Sequence, residues 1–232
     1  MTNLSDSNWV QVGGGARRVL LVPLGSLEQH GPHLPLDTDT RIAVAVARRA
    51  ATGRDGVAVA PPLAFGSSGE HAAFAGTLSI GTHALVEVLV ELGRDARRDW
   101  AALLFVNGHG GNADALRAAV ARLRCEGGRC EAFSVSPAFG DAHAGITETS
   151  LLLHLDPGAV RLDLAEPGEQ RPVGELIVRL RTDGVRSVSP NGVLGDPRGA
   201  TEAEGRRLLG ELTAECGTAI DGLLAVAEPA RA

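Results

Sequence analysis

The 232-residue chain has no lysine and no tyrosine, and its 22 basic residues are all arginine. Without lysine there is no Schiff-base chemistry, no lysine general base and no phosphate-cradling lysine of the P-loop kind. Proton transfer and electrophilic assistance must come from His, Asp, Glu, Arg, Cys or a metal ion. Basic residues are outnumbered, leaving a net charge of −6 and a pI near 5.6. No arginine cluster stands out, so an electrostatic grip on nucleic acid is not expected. No apolar run approaches the roughly 20 residues that span a bilayer, and the N-terminus lacks the charged start, apolar stretch and cleavage site of a secretory signal. Three cysteines, Cys125, Cys130 and Cys216, are an odd number that suits a reducing cytoplasm. Cys125 and Cys130 flank a glycine turn with no partner His or Cys nearby, which reads as structural rather than as half of a zinc site.

The remaining composition, 44% hydrophobic and 22% charged, is that of an ordinary globular protein, and one domain over 1–232 is expected, with Met1 to Gly15 polar and frayed. Val19 to Leu24 is a continuous apolar run ending at Pro23-Leu24-Gly25, as in a strand buried on both faces. Helices are expected over Thr38 to Ala51, from Thr82 through Trp100, after Asn112, from Glu148 to about Asp156, and over Glu202 to Val226. Further strands are expected at Val57 to Ala60, Ala101 to Val106 and Cys130 to Val135. Leu63 to Gly81 is too long for a plain turn and is a candidate functional loop, while Val185 to Thr201 reads as loop. The alternation predicts an α/β fold, a three-layer α/β/α sandwich with a mainly parallel sheet. Such sheets bind ligands beyond the carboxyl ends of their strands. The loops at that end hold Glu28, His30, Asp39, Glu70, His71, His109, Asp141 and His143.

Glu28 and His30 lie in a segment punctuated by Gly25, Gly31 and Pro32, from which an irregular loop can splay both side chains, and Asp39 arrives in the first turn of the next helix. Carboxylate oxygen and imidazole nitrogen together suit Zn²⁺, Fe²⁺ or Mn²⁺, and one Asp can bridge two such ions. An oxygen-rich set without thiolates is the catalytic pattern, leaving a position for a water whose pKa the metal lowers towards about 7. Taken alone, Glu28 and His30 could equally be a hydrogen-bonded loop pair, and the glycines around His109 could form an anion cradle at a helix start. Coincidence with Asp39, His109 and Glu148 at the strand ends favours the metal.

The stretch Leu27-Glu28-Gln29-His30-Gly31-Pro32-His33-Leu34-Pro35-Leu36-Asp37-Thr38-Asp39 resembles the signature of the creatininase family. Further matches are Glu70-His71 with Phe74 and Gly76-Thr77, Asn107 to Asn112, His143-Ala144-Gly145 with Glu148-Thr149-Ser150, and Gly192-Val193 with Gly195-Asp196-Pro197 and Ala200-Thr201, so that the likeness spans nearly the whole chain. It implies a creatininase-type α/β fold, two divalent metal ions per subunit, hydrolysis of amide-like C–N bonds and assembly into a homo-oligomer, hexamer or octamer. By motif position, Glu28, His30, Asp39 and His109 resemble the metal ligands, with Asp39 the bridge. Creatininase has a further carboxylate ligand two residues after the matching histidine, where this chain has Gly111; Glu148 is the expected replacement. Ala75 also stands where many relatives have proline. Within the family, Asp37 to Arg41, Asp141 to Gly145 and Ser189 to Gly192 are most similar to a peptidase branch that matures a modified precursor peptide, freeing its C-terminal cross-linked Val-Tyr core. The mechanism expected is attack on the scissile carbonyl by a hydroxide held between the metals. His143 would hydrogen-bond the carbonyl or protonate the leaving amine, while Glu70 and His71 would shape the pocket or support a ligand. His33 would orient its own loop, and His83 and His154 fall on helices as ordinary residues. A small-molecule amidohydrolase and a non-catalytic binding module are the competing readings.

Overall fold

The computed structural model describes residues 3–136 and 140–226. Along the chain come α1 (Trp9–Gly13), β1 (Val19–Leu24), α2 (Thr38–Ala51), β2 (Val57–Val59), α3 (Gly81–Ala96), β3 (Ala102–Asn107), α4 (Ala113–Cys125), β4 (Cys130–Ser134), α5 (Ile146–Leu155), α6 (Val173–Asp183), α7 (Val185–Val188) and α8 (Glu202–Val226). The four strands form one parallel sheet in the order β2-β1-β3-β4, with Val19 opposite both Val57 and Ala102.

Alternation along the central strands builds the layers. Val19 and Leu21 of β1 and Leu104 and Val106 of β3 join Ile42, Val46, Leu151, Leu208 and Leu212, the buried faces of α2, α5 and α8. Leu20, Val22 and Leu24, with Leu103 and Phe105, point the other way into Leu85, Leu89, Leu116 and Leu123 of α3 and α4. Since side chains alternate across a strand, a run apolar at every position requires helices on both sides, and the expected three-layer sandwich is present.

Within the N-terminal segment, Asn8 and Gln11 form a reciprocal capping box on α1, Asn3 bridges to Val59, and Leu4 and Val12 pack on the sheet. Met1 and Thr2 lie outside the described residues. The expected loop from Val185 contains the single turn α7 before it runs irregularly to α8. With α6, which periodicity did not reveal, α7 makes a small satellite cluster of Leu176, Leu180, Val185 and Leu194.

Candidate metal centre

Every strand end delivers part of one cluster. The loop after β1 carries Glu28 and His30, wholly buried, and Asp39 follows in the first turn of α2 at 2% exposure. Gly25 lets this loop lie on α2: a Cβ there would sit 2.6 Å from the Thr40 backbone. His109 follows β3, and Gly108 is pressed against the Asp39 carbonyl. His143 and Glu148 come from the turn into α5, where Ala144 takes a left-handed φ of 53° and donates its N–H to Glu148 Oε2 at 2.6 Å. Asp141 anchors this turn by accepting the N–H groups of Ile146 and Thr147.

Backbone carbonyls fix which nitrogen of each histidine faces the cluster. His30 Nδ1 donates to the Glu28 carbonyl at 3.1 Å, leaving Nε2 to face Asp39 Oδ1 at 3.0 Å and Glu148 Oε2 at 3.8 Å. His109 Nε2 donates to the Ser67 carbonyl at 3.0 Å, so Nδ1 faces Glu28 Oε1 at 3.2 Å and Asp39 Oδ2 at 3.5 Å. In each neutral ring a bare nitrogen therefore opposes carboxylate oxygen, an arrangement that needs a cation or a proton between them. Glu28 Oε2 accepts from Ser26 at 2.9 Å. Glu28 Oε1 and Asp39 Oδ2, both buried, find no aligned hydrogen-bond donor, and the 3.2 Å approach of His109 to Glu28 is close without being directed. Leaving such acceptors unmet costs several kcal/mol or more in a dry interior.

Titration behaviour reflects the same crowding. Burial opposes charge on His30, but Asp39, then Glu148 and Glu28, raise it to about 10. His109 is likewise raised well above 6.5 against its burial, chiefly by Glu28. Burial works against ionised Glu28, yet His109, His71 and His143 hold it well below the usual carboxylate range. Glu148 is pushed up to about 7 by burial, partly offset by His30. The surrounding carboxylates thus favour protonated His30 and His109 wherever no divalent cation balances them.

Ligand atoms of Glu28, Asp39 and His109 lie within 4.8 Å of one another, as do those of His30, His143 and Glu148. Asp39 turns one oxygen to each set. These donors fit divalent metal, with nitrogen and oxygen ligands, orphaned acceptors and no thiolate. Glu28, His71 and His143 form a third convergence of the same size. Glu70 falls outside these sets; its Oε1 lies 3.5 Å from His109 Nε2. A Cβ on Gly111 would sit 2.3 Å from His109 Nε2 and 2.5 Å from both Glu70 Oε1 and the Ser67 carbonyl oxygen, so no side chain fits at this position two residues after His109. His33 does more than orient its own loop: its Nε2 meets Thr149 Oγ1 of α5 at 2.9 Å. Ser26 and Ser67 also belong to the site, without a motif that marks them in the sequence. Ser26 could have been found by its place beside Glu28, whereas Ser67 acts through its carbonyl and leaves no side-chain signal.

A cleft of about 150 Å³ opens over the cluster, lined by Asp39, His109, His143 and Glu148 with Ile42 and Leu151. Carboxylates and imidazoles gathered in a cleft at the carboxyl edge of a parallel α/β sandwich have the build of a metal-dependent amidohydrolase. The chain belongs to the creatininase family: the family model described as "Creatininase: Creatinine amidohydrolase" matches residues 5–220, which makes the protein a hydrolase of C–N bonds. It is 55% identical over 206 residues to the mycofactocin precursor peptide peptidase of Mycobacterium ulcerans (strain Agy99), covering 85% of this chain and 82% of that one. Among solved structures it resembles "Creatininase Mn", with a TM-score of 0.77 and 26% identity over 94% of this chain and 97% of that one. It also resembles a mutant creatininase of the Zn-Zn type, with a TM-score of 0.75 and 26% identity over 94% and 96%.

Proposed function

We propose that the chain is a peptidase that binds two divalent metal ions and cleaves the modified mycofactocin precursor peptide, releasing its C-terminal cross-linked Val-Tyr dipeptide. The observation that carries the two-metal reading is Asp39, whose Oδ1 lies 3.0 Å from His30 and whose Oδ2 lies 3.5 Å from His109. The peptide reading rests on the 55% identity to a mycofactocin precursor peptide peptidase. Glu28, Asp39 and His109 would hold one ion, and His30, Asp39 and Glu148 the other. Manganese and zinc in the similar creatininases, together with the N/O donors, point to Zn²⁺, Fe²⁺ or Mn²⁺. When bound, such ions lower the pKa of water and stabilise the oxyanion that develops on a scissile carbonyl.

Around that chemistry the chain's residues have distinct tasks. His143, whose pKa burial holds well below 6.5, turns Nδ1 towards Glu28 at 3.7 Å and is placed to take a proton there as water adds, returning it to the departing amine. Its acid role thus requires a proton gained during the reaction. His71 supports Glu28 from 3.3 Å, and Glu70 supports His109. The same reading puts the enzyme in the cytoplasm as a homo-oligomer, hexamer or octamer. Exposed Val173, Ile177 and Val178 on α6 offer an apolar face that assembly would cover, and sedimentation gives the stoichiometry.

Two measurements test the proposal. Metal analysis should find two ions per chain, with Asp39→Ala losing both. Incubation with cross-linked precursor peptide should release the dipeptide, seen by mass spectrometry. No release, alongside turnover of creatinine or formamide, would reassign the chain as a small-molecule amidohydrolase.

A further inference from the structure

Gln29 lies between the two ligand residues Glu28 and His30, is 5% exposed, and touches both histidines of the third convergence. Its amide orientation is settled by two backbone groups of fixed polarity. Oε1 accepts the Gly31 N–H at 2.8 Å, and Nε2 donates to the Gly192 carbonyl at 3.0 Å. Flipping the amide would set acceptor against carbonyl and donor against N–H. The nitrogen 2.9 Å from His71 Nδ1 is therefore a donor, and His71 Nδ1 must be bare. The proton of His71 then sits on Nε2, the ring nitrogen nearer Glu28, 3.3 Å from its Oε1 without being directed at it. His143 is fixed by the main chain of the same residue. Its Nε2 lies 2.8 Å from the Gln29 carbonyl oxygen and 3.1 Å from the Gln29 amide nitrogen; the two amide hydrogens are taken by the Gly192 carbonyl and the nearer His71 Nδ1, and the carbonyl only accepts, so His143 Nε2 carries the proton and Nδ1 is bare.

We propose that Gln29 is a positioning residue that holds His71 and His143 in the same Nε2–H tautomer, so that the ring nitrogen nearest Glu28 is protonated in His71 and bare in His143. The two rings, with centroids 4.6 Å apart, are thereby sorted into different tasks. His71 has no nitrogen free for a metal, since one is protonated and the other capped by the amide. His143 keeps its Nδ1 lone pair for a proton or a cation. The convergence of Glu28, His71 and His143 is then a support for Glu28 and not a third metal site. Gly192, at φ 82° with Gln29 Oε1 1.9 Å from where its Cβ would be, admits the amide, tying the loop before α8 to the site.

This inference rests on the metal-hydrolase reading for its consequence but not for its test. Histidine-selective ¹⁵N spectra of the metal-free protein report which ring nitrogen is protonated, whatever the substrate. Nδ1 of both rings should resonate as unprotonated nitrogen. In Gln29→Glu, which replaces the donor by an acceptor of equal size, the His71 proton should move to Nδ1 while His143, held by the residue 29 carbonyl, stays as it was. Metal affinity should fall about 10- to 100-fold, as for other partners of ligand residues. A protonated His71 Nδ1 in the unmodified protein would overturn the proposal without reference to any variant. So would a Gln29→Glu protein whose His71 tautomer is unchanged. Failure of peptide cleavage with the expected tautomers would count against the substrate reading alone.

Discussion

At the level of single residues, the centre works through polarity that side-chain identity does not display. That Glu28, His30, Asp39, His109 and Glu148 gather in one place was legible because loops after apolar strands converge at one sheet edge. The tautomers of His30 and His109 were not, since they depend on the carbonyls of Glu28 and Ser67; Ser67 is distant in sequence from His109, and any residue type supplies a carbonyl. Ser26, though fully buried, is the member of this supporting layer whose contribution a side-chain substitution removes. It donates to Glu28 Oε2 and pairs with Ser68, so Ser26→Ala should weaken metal binding about 10- to 100-fold, measured by competition with a chelator. Unchanged affinity would mean that Glu28 is oriented without it. The glycines after His109 give a sharper contrast. A Cβ at Gly110 meets nothing within 4 Å, whereas one at Gly111 collides with His109, Glu70 and the Ser67 carbonyl. Gly111→Ala should therefore cost about 1–3 kcal/mol and lower metal occupancy, while Gly110→Ala should leave both nearly unchanged. Equal effects of the two in thermal melts and metal analysis would show that the space beside His109 is not filled as described.

Sequence periodicity marks the helices of this chain unevenly, for a physical reason. The periodic stripes of α2 and α8 gave Thr38 to Ala51 and Glu202 to Val226 as observed, because both helices lie against the sheet layer and bury a broad face. By contrast, α6 buries only Leu176 and Leu180 and exposes Ile177 and Val178, which blurs the stripe that would have marked it. The start of α5 matters most for function. It begins two residues before Glu148, and its first N–H groups are met by Asp141, which fixes the left-handed turn at Ala144. Removing that acceptor in Asp141→Ala should cost about 0.5–2 kcal/mol, the range for lost helix caps, seen as a lower melting temperature. Because the same turn aims His143 and Glu148, peptide cleavage should fall further than stability alone explains. A variant that melts earlier yet cleaves normally at low temperature would separate the cap from the site.

For the whole molecule, the absence of lysine and tyrosine makes the alkaline range unusually open to interpretation. In the metal-free protein His30 titrates at about 10 and His109 well above 6.5, so the folded state holds protons that the unfolded state releases near 6.5. Their contribution to stability is complete below pH 6.5 and is lost as pH rises through the folded values. Glu148, pushed up to about 7, adds a loss between about 4.5 and 7 in the same direction. Divalent metal needs those imidazoles deprotonated, so its affinity increases over the range in which the metal-free fold weakens. No Lys or Tyr titration overlies this window, and Cys130 and Cys216, pushed by burial from about 9 to about 12, add a loss in the same direction only from about pH 9 upward. The melting temperature of chelator-treated protein should therefore fall from pH 7 to 9 while that of metal-loaded protein holds. With free metal about a thousand times its dissociation constant, the gap corresponds to about 4 kcal/mol, or roughly 10 °C for a chain of this size. Calorimetry in buffers of different ionisation enthalpy should show protons released on loading at pH 7. A metal-free melting temperature that stays level across this range, with no proton release, would mean that His30 and His109 do not hold protons in place of metal.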